Sequence, residues 1–489
     1  MRQRFEQQIR LGQIPVSEAE IDPKSRDPYM HLMRALKEIF LTPEYNKKIF
    51  NILEQKIMAG KKATGRRGMD LWHIFVLAQV RLGLNTNYDR LHTMVNSDHL
   101  LRGVMGVEMD AGFEKQRFEY QQIIDNVTLL DDETVKELNK VILEFGHGAF
   151  KKKETEALAL KTDSFVVETN VHFPTDYNLL YDCGRKCLDV MEHLLKANPT
   201  LGGWRKLKDW RRTLKNKMRS LGRASVSGGK GKQERMVKAA REYLTKARAL
   251  STKLTLFEET MPIETNKELL RLIELEIYLG LLNKHIDLVE RRVIKSEKIP
   301  HHEKIFSIFE EYTEWITKGK LHPNVELGKK VAITTDQYHL IVDHEIMDHQ
   351  MDQAIVIPLA DRILNKYQVS SWSFDKGFYN KLIKNLLKLS VSQVIMPKKG
   401  KLNQDEKQEE SQRAFVKKRH QHSAVESNIN ELECRGLDRC PDRSYGHFRR
   451  YVGLAVCSYN LRRIGARLIM QDREKLQKAQ QEQIVKKRA

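Results

Sequence analysis

Strand-forming segments occur in two groups along this 489-residue chain, and a long helical block separates them. The first group is one run, 158–174, which is rich in β-branched and aromatic residues and ends at a proline. The second group comprises four shorter runs with helical stretches between them: 331–336, 339–347, 369–378 and 392–397. This alternation predicts a mixed α/β core with helices on the sheet, interrupted by a helical insertion.

The same pattern divides the chain into five segments. Residues 1–155 show only helical periodicity, with a basic, glycine-bearing linker at 60–70 and three short helices after it. A helix-turn-helix-like DNA-binding unit and an ordinary helical bundle both fit that spacing, and in the first case 97–104 is the candidate recognition helix. The other four segments are the first part of the core (156–200), a basic helical insertion (201–324), the second part of the core (325–460) and a charged tail (461–489).

Positive charge is concentrated in the helical insertion. The chain has 85 Lys and Arg against 65 Asp and Glu, a net charge of +20. Residues 201–250 hold 16 of these Lys and Arg and three of the Asp and Glu, a local net charge of +13. Such a surface attracts polyanions, so we expect nucleic acid to contact it. A solvated helical face is the alternative, and an anionic membrane fits less well because no strongly apolar face accompanies the charge.

The chain shows no membrane or secretory signature. No run of about 18 apolar residues occurs, and the N-terminal residues lack an apolar signal segment. The five cysteines form no C-x-x-C pair, and the spacing of Cys434 and Cys440 fits no common zinc pattern. We therefore expect a cytoplasmic protein with free thiols.

Three acidic residues stand out by position. Asp163 lies inside the strand-forming run 158–174, Asp375 lies at the end of another strand, and Glu426 lies where a helix opens. If the two strands are neighbours, both aspartates reach one edge of the sheet, and a helix beside that edge adds Glu426. Clustered carboxylates repel one another and need a cation, and oxygen ligands suit Mg²⁺ or Mn²⁺. Two such ions about 3.5–4 Å apart serve phosphodiester chemistry.

Each acid also has a structural explanation. Asp163 can pair with Lys161, and Asp375 can cap a turn. Ser423 and Glu426 fit the S-x-x-E capping box at a helix start. Spacing alone leaves three rival acids open: Asp336, Asp343 and Glu168.

Five blocks of sequence resemble, in order, blocks of bacterial insertion-sequence transposases of the DDE type, in particular the ISNCY-like group. They are TDSFVVETNVHFPTDYNLL, EKIFSIFEEYTEWITKGK, TTDQYHLIVDHEI, SFDKGFYN and HSAVESNINELECRGLDRC, spread over roughly 160–460. The segment GRRGMDLWHIFVLAQVRLGLNTNYDRLHTMVNSDHLLRGVMGV is similar to the N-terminal helical domain of the same transposases. Together these blocks cover most of the chain.

The resemblance implies a ribonuclease H-like fold behind a helical DNA-binding domain. By motif, the catalytic and metal-binding residues are Asp163 in TDSFVVET, Asp375 in SFDKGF and Glu426 in HSAVESNIN. These residues would bind two Mg²⁺ or Mn²⁺ ions, and the protein would cut and join double-stranded DNA at transposon ends. It would act as at least a dimer on DNA, in the bacterial nucleoid. Many such transposases carry Tyr and Arg shortly before the Glu and Lys seven residues after it. Here His422 and Glu433 stand near those places, which leaves the basic helper function in doubt.

Basic residues of the linker, the short helices, the insertion and the Glu426 region are the expected DNA contacts. For Arg419, Arg435 and Arg439, surface charge alone is the favoured explanation. The set is Arg66, Arg67, Arg90, Arg102, Arg205, Lys206, Arg211, Arg212, Arg419, Arg435 and Arg439. Trp204 and Trp210 are expected to pack the insertion; stacking on a displaced base is the alternative.

Three other functions stay open at this point. A structure-specific nuclease or resolvase would use the same acids without joining ends. A transposase-derived repressor would bind DNA without cutting it. An RNA-binding protein would use the basic surface, although the sequence lacks aromatic-rich RNA signatures.

Overall fold

A computed structural model describes residues 2, 4, 11–60, 68–198, 204, 206–317 and 324–488, with side chains as far as residue 483. The chain folds into two compact units. The core unit comprises Met1–Asn170 and Ile316–Ala489, and the helical unit comprises Val171–Trp315. The predicted insertion began at residue 201, whereas the helical unit begins about one helix earlier.

Among the described residues, seven α-helices precede the first strand: α1 (Pro28–Leu41), α2 (Pro43–Ile57), α3 (Leu71–Gly83), α4 (Tyr88–Ser97), α5 (His99–Met105), α6 (Tyr120–Val127) and α7 (Asp132–Ala149). Every residue of α3 is buried, as its apolar sequence on all sides requires. The last five residues of α5 are buried as well. The other half of the candidate recognition helix, 97–100, is exposed or half-buried, so the assignment of 97–104 stays a prediction.

The helical unit is built from α8 (Asp176–Ala197), α9 (Leu207–Val226), α10 (Lys232–Thr260) and α11 (Asn266–Val289). Helix α8 packs against α9 and α11, which is why this unit begins before residue 201. Trp204 is 8% exposed and meets the ring of Phe257 edge to face. Trp210 is half-buried, with the Lys246 Nζ 3.7 Å from its ring centroid. Both tryptophans thus pack the helical unit, as predicted.

The core unit carries a mixed sheet of seven strands. They are β1 (Leu158–Thr169), β2 (Glu314–Thr317), β3 (Val325–Thr335), β4 (Ile341–Met347), β5 (Val369–Phe374), β6 (Gln393–Ile395) and β7 (Arg439–Cys440). The main path is β2-β3-β1-β5-β6, while β4 also pairs with β3 and β7 with β1. Strand β3 is antiparallel to β1 and β4, whereas β5 is parallel to β1 and β6. The five predicted strands are all present, so the mixed α/β class is confirmed.

Five helices complete the core unit: α12 (Val356–Leu364), α13 (Lys381–Leu387), α14 (Gln404–Ser411), α15 (Arg413–Leu432) and α16 (Tyr445–Arg488). Helix α15 packs on β1, β5 and β6, and α16 packs on α1, α3 and α7. None of the helices in the described ranges is long and apolar enough to cross a membrane. All five cysteines are free.

Helices α1 and α16 approach each other closely at Gly465. A Cβ atom at this position would lie 1.7 Å from the carbonyl oxygen of His31. We expect Gly465→Ala to lower the free energy of unfolding by about 3 kcal/mol, because backbone must move to admit the methyl group. Urea unfolding measures this. Gly446→Ala, on the same helix with nothing within 4 Å, is the control and should be neutral or slightly stabilising. Equal losses in both variants would contradict the close approach.

Candidate active site

Asp163 lies in the middle of β1, where it pairs with Ile333 of β3. Its side chain is half-buried, and its Oδ1 accepts the backbone N–H of Ser164 at 2.7 Å. No ion pair joins Asp163 to Lys161 in the described part of the chain, so pairing along the strand does not explain this buried acid.

Asp375 comes directly after β5, the parallel neighbour of β1. Thr162 pairs with Phe374, so Asp163 and Asp375 are the next residues on two adjacent strands that run in the same direction. The condition set for these two acids, that their strands are neighbours, is therefore met. Asp375 also accepts the N–H of Gly377 at 3.5 Å and so caps a single turn of 3-10 helix. The cap leaves its side chain exposed.

Glu426 lies well inside α15 and is exposed. Helix α15 begins at Arg413, so Glu426 does not open a helix, and the Ser423 Oγ donates to the carbonyl of His420 at 2.9 Å. The capping-box explanation is therefore wrong. The polar stretch before Glu426 was not predicted as helix because α15 buries only about one residue per turn against the sheet: Phe415, His422, Val425, Asn428, Ile429 and Leu432.

Asp352 is a fourth acid of this region, and sequence reasoning missed it. It follows β4 in a short turn and accepts the Ser164 Oγ at 2.8 Å and the Lys330 Nζ at 3.1 Å. A Cβ atom at Gly377 would lie 2.9 Å from the Asp352 Oδ2, which places Asp352 beside the turn that holds Asp375. The only sequence signal was an acid shortly after a strand, and many surface turns share that signal.

The four carboxylates influence one another electrostatically. Burial, together with the negative charges of Asp375, Glu426 and Asp352, raises the pKa of Asp163 to about 7, although the Ser164 N–H opposes this. Three acids that are distant in sequence therefore act on Asp163 through space. Near neutral pH the Asp163 carboxyl is about half protonated.

The donor chemistry of this cluster fits a hard divalent cation. Four carboxylates form an all-oxygen set of the kind that Mg²⁺ and Mn²⁺ prefer, and burial makes the charge of Asp163 costly without a counterion. Across the described ranges, no three His, Cys, Asp or Glu side chains are already arranged to hold a metal. Asp375 and Glu426 are exposed.

Two of the three rival acids have other hydrogen-bond partners, and the side chain of the third projects from the opposite face of the sheet. Asp336 is fully buried, accepts two backbone N–H groups and faces the His147 Nε2 at 2.9 Å. Asp343 receives two hydrogen bonds from Arg362, at 2.9 and 3.1 Å. Glu168 stands an odd number of residues after Asp163 on an unbroken strand, so it projects from the opposite face of the sheet.

His422 lies one turn before Glu426, on the buried face of α15. Its Nδ1 lies 3.0 Å from the Oγ of Ser373. Burial lowers the pKa of His422 to about 4, although the charge of Asp375 opposes this. His422 is therefore neutral at physiological pH and cannot replace the basic helper residues that the resembling transposases carry near this position.

Arg102 is a predicted DNA contact that the structure contradicts, because its side chain is buried. It is 1% exposed, and its Nε donates to Glu108 at 2.8 Å. Its two terminal nitrogens donate to the backbone carbonyls of Val95 and Val107 at 2.9 and 3.1 Å. The guanidinium thus stabilises the inside of the core unit, and none of it is free for a phosphate.

The other predicted DNA contacts differ in accessibility. Arg211 is half-buried and engaged by Asp189 and Glu192. Arg435 is half-buried too, and five residues are exposed: Arg90, Lys206, Arg212, Arg419 and Arg439. Three lie outside the described residues: Arg66, Arg67 and Arg205.

The candidate active site therefore consists of acids contributed by β1, the turn after β5, the turn after β4 and α15. Its chemistry is that of an acidic, partly buried cluster beside the exposed surface of a sheet edge. No protein-family model, no curated protein and no solved structure matches this chain.

Proposed function

We propose that this protein is a DNA transposase of the DDE type, which binds the terminal inverted repeats of an insertion sequence and cuts and joins DNA strands with a divalent metal. The observation that carries the proposal is the approach of Asp163, Asp375 and Glu426 around two adjacent parallel strands. The mixed sheet flanked by helices is consistent with a ribonuclease H-like core.

Asp163, Asp375 and Glu426 would hold Mg²⁺ or Mn²⁺, as two ions. Ions bound in this way activate an attacking oxygen and stabilise the leaving one. The carboxyl of Asp163, whose pKa is about 7, has to release its proton before it can bind a cation. Asp352 is held by Ser164 and Lys330, so we assign it a positioning role beside the metal-binding acids. The protein contributes mainly positioning and charge, which is what phosphoryl transfer requires.

The basic surface would hold the DNA. The net charge of +20 and the exposed arginines and lysines favour a polyanionic partner. Each phosphate contact should make binding more salt-dependent. Two transposon ends have to be joined in one reaction, so we expect a dimer or larger assembly on DNA.

Mg²⁺-dependent cleavage and joining of DNA that carries the sequences flanking the gene test this function. We expect a nick that leaves a free 3′-OH at each end, followed by a joined product when a pre-cleaved end is offered with target DNA. Denaturing gels resolve both products. Cleavage without joining would favour the nuclease or resolvase alternative, and specific binding without cleavage would contradict an enzymatic role.

A further inference from the structure

A second polar feature of the core unit is a cleft of about 470 Å³ between α15 and the sheet. Strands β1, β5 and β6 contribute its floor, and α15 and the loop after β3 contribute its walls. No Asp or Glu among the described residues lines it. Its main polar side chains are Lys161, Lys418, Gln337, His339, Gln421 and Ser427.

Lys161 is the central cation of this cleft. It precedes Asp163 by two residues, so both project from the same face of β1, about 7 Å apart along the strand. Its side chain is half-buried and forms no hydrogen bond or ion pair with the described residues. An ammonium group buried in this way is unfavourable without an anion.

Lys418 faces the cleft from α15 and is in the same situation. It is half-buried and, within the described ranges, has no hydrogen-bond or ion-pair partner. The two ammonium groups therefore repel each other across a cavity without an acidic lining residue. An anion between them would relieve this repulsion.

The rim of the cleft is held in a strained arrangement. His339 has a φ of 64°, a left-handed conformation that is uncommon for a residue other than glycine. Its Nδ1 lies 3.4 Å from the Oδ1 of Asn428, which is 4% exposed and whose Nδ2 has no partner among the described residues. Burial lowers the pKa of His339, and the positive charges of Arg463 and Lys161 lower it further. His339 is thus a neutral hydrogen-bonding group in a positive surrounding.

We propose that this cleft binds a phosphate group of a nucleotide, held between Lys161 and Lys418. This inference rests on the proposed function, because the phosphate would belong to the DNA strand that enters the active site. The short distance from Lys161 to Asp163 along β1 places the cleft within a few nucleotides of the acids on a bound strand. The cleft would therefore fix the position of the scissile bond by gripping the strand beside it.

Binding measurements without metal test the cleft separately from catalysis. Lys161→Met and Lys418→Met remove the charge and keep most of the apolar stem, and Lys417→Met on the same helix is the matched control. Fluorescence anisotropy with a labelled oligonucleotide in EDTA, repeated over a series of salt concentrations, gives affinity and salt slope. We expect each cleft variant to weaken binding about tenfold and to reduce the slope by about one, while Lys417→Met changes neither.

Two further arms complete the test. If a mononucleotide or inorganic phosphate displaces the oligonucleotide from the wild type but not from the cleft variants, the ligand is a free phosphate. If neither compound competes and the cleft variants only lose affinity for the oligonucleotide, the ligand is a phosphate of the strand. Lys161→Arg should restore affinity, and thermal melting should show Lys161→Met at least as stable as the wild type, because an unpaired buried charge is gone. Unchanged affinity and an unchanged salt slope in the double variant Lys161→Met/Lys418→Met would overturn the phosphate site. A wild type that binds through the cleft and never cuts would overturn only the transposase function.

Discussion

Replacing Asp163, Asp375 or Glu426 by alanine is expected to lower Mg²⁺-dependent DNA cleavage by about 10³-fold or more, while DNA binding persists. Each carboxylate supplies part of the charge that holds the metal, and a metal ion contributes several kcal/mol of transition-state stabilisation. The position of the three acids around β1 and β5 is the structural basis for this expectation. Initial cleavage rates on a labelled end, with affinity measured in parallel, check it.

The controls separate this site from its rivals. Asp361→Ala removes an exposed acid of α12 and should cut at the wild-type rate. Asp352→Asn should lower the rate less than the three alanine variants, because Asp352 is already compensated by Lys330. If Asp375→Ala cuts normally and a folded Asp336→Ala does not, the second metal-binding assignment is wrong.

Asp163→Asn is expected to stabilise the metal-free protein by about 2–4 kcal/mol at pH 8. The folded pKa of Asp163 is about 7, against an ordinary value of 3.8. Between about pH 4 and pH 7 the folded protein therefore binds more protons than the unfolded chain, and stability falls as the pH rises through that window. The asparagine variant lacks this loss, so the two proteins should be equally stable near pH 4 and diverge above it. Urea unfolding in EDTA over this pH range measures the difference.

Divalent metal should offset most of that difference. Mg²⁺ or Mn²⁺ at about 100 times its Kd would stabilise the wild type by about 2.7 kcal/mol at pH 8, and it should leave Asp163→Asn nearly unchanged. This readout does not depend on catalysis. An equal gain in both proteins would place the metal elsewhere, and no pH dependence of the difference would contradict the raised pKa of Asp163.

The sequence by itself determined the local elements and the acids on them. The run around Asp163 and the segment before Asp375 have the β-branched and aromatic composition of strands, and both form strands. The alternation of strands with helices indicated a shared core, and the adjacency of these two strands came from the structure. Strand propensity and alternation are encoded by near neighbours in the chain, which is why they could be read without coordinates.

Only the tertiary structure decided which groups are buried, paired or left without a partner. Arg102 and Arg90 are similar cations on neighbouring short helices, yet packing buries the first against Glu108 and exposes the second. Asp352 contacts Ser164 on the face of β1 opposite to Asp163, and Lys161 has no partner among the described residues, because folding brings distant segments around β1. Burial and electrostatic pairing depend on contacts between residues far apart in sequence, and local patterns carry no record of those contacts.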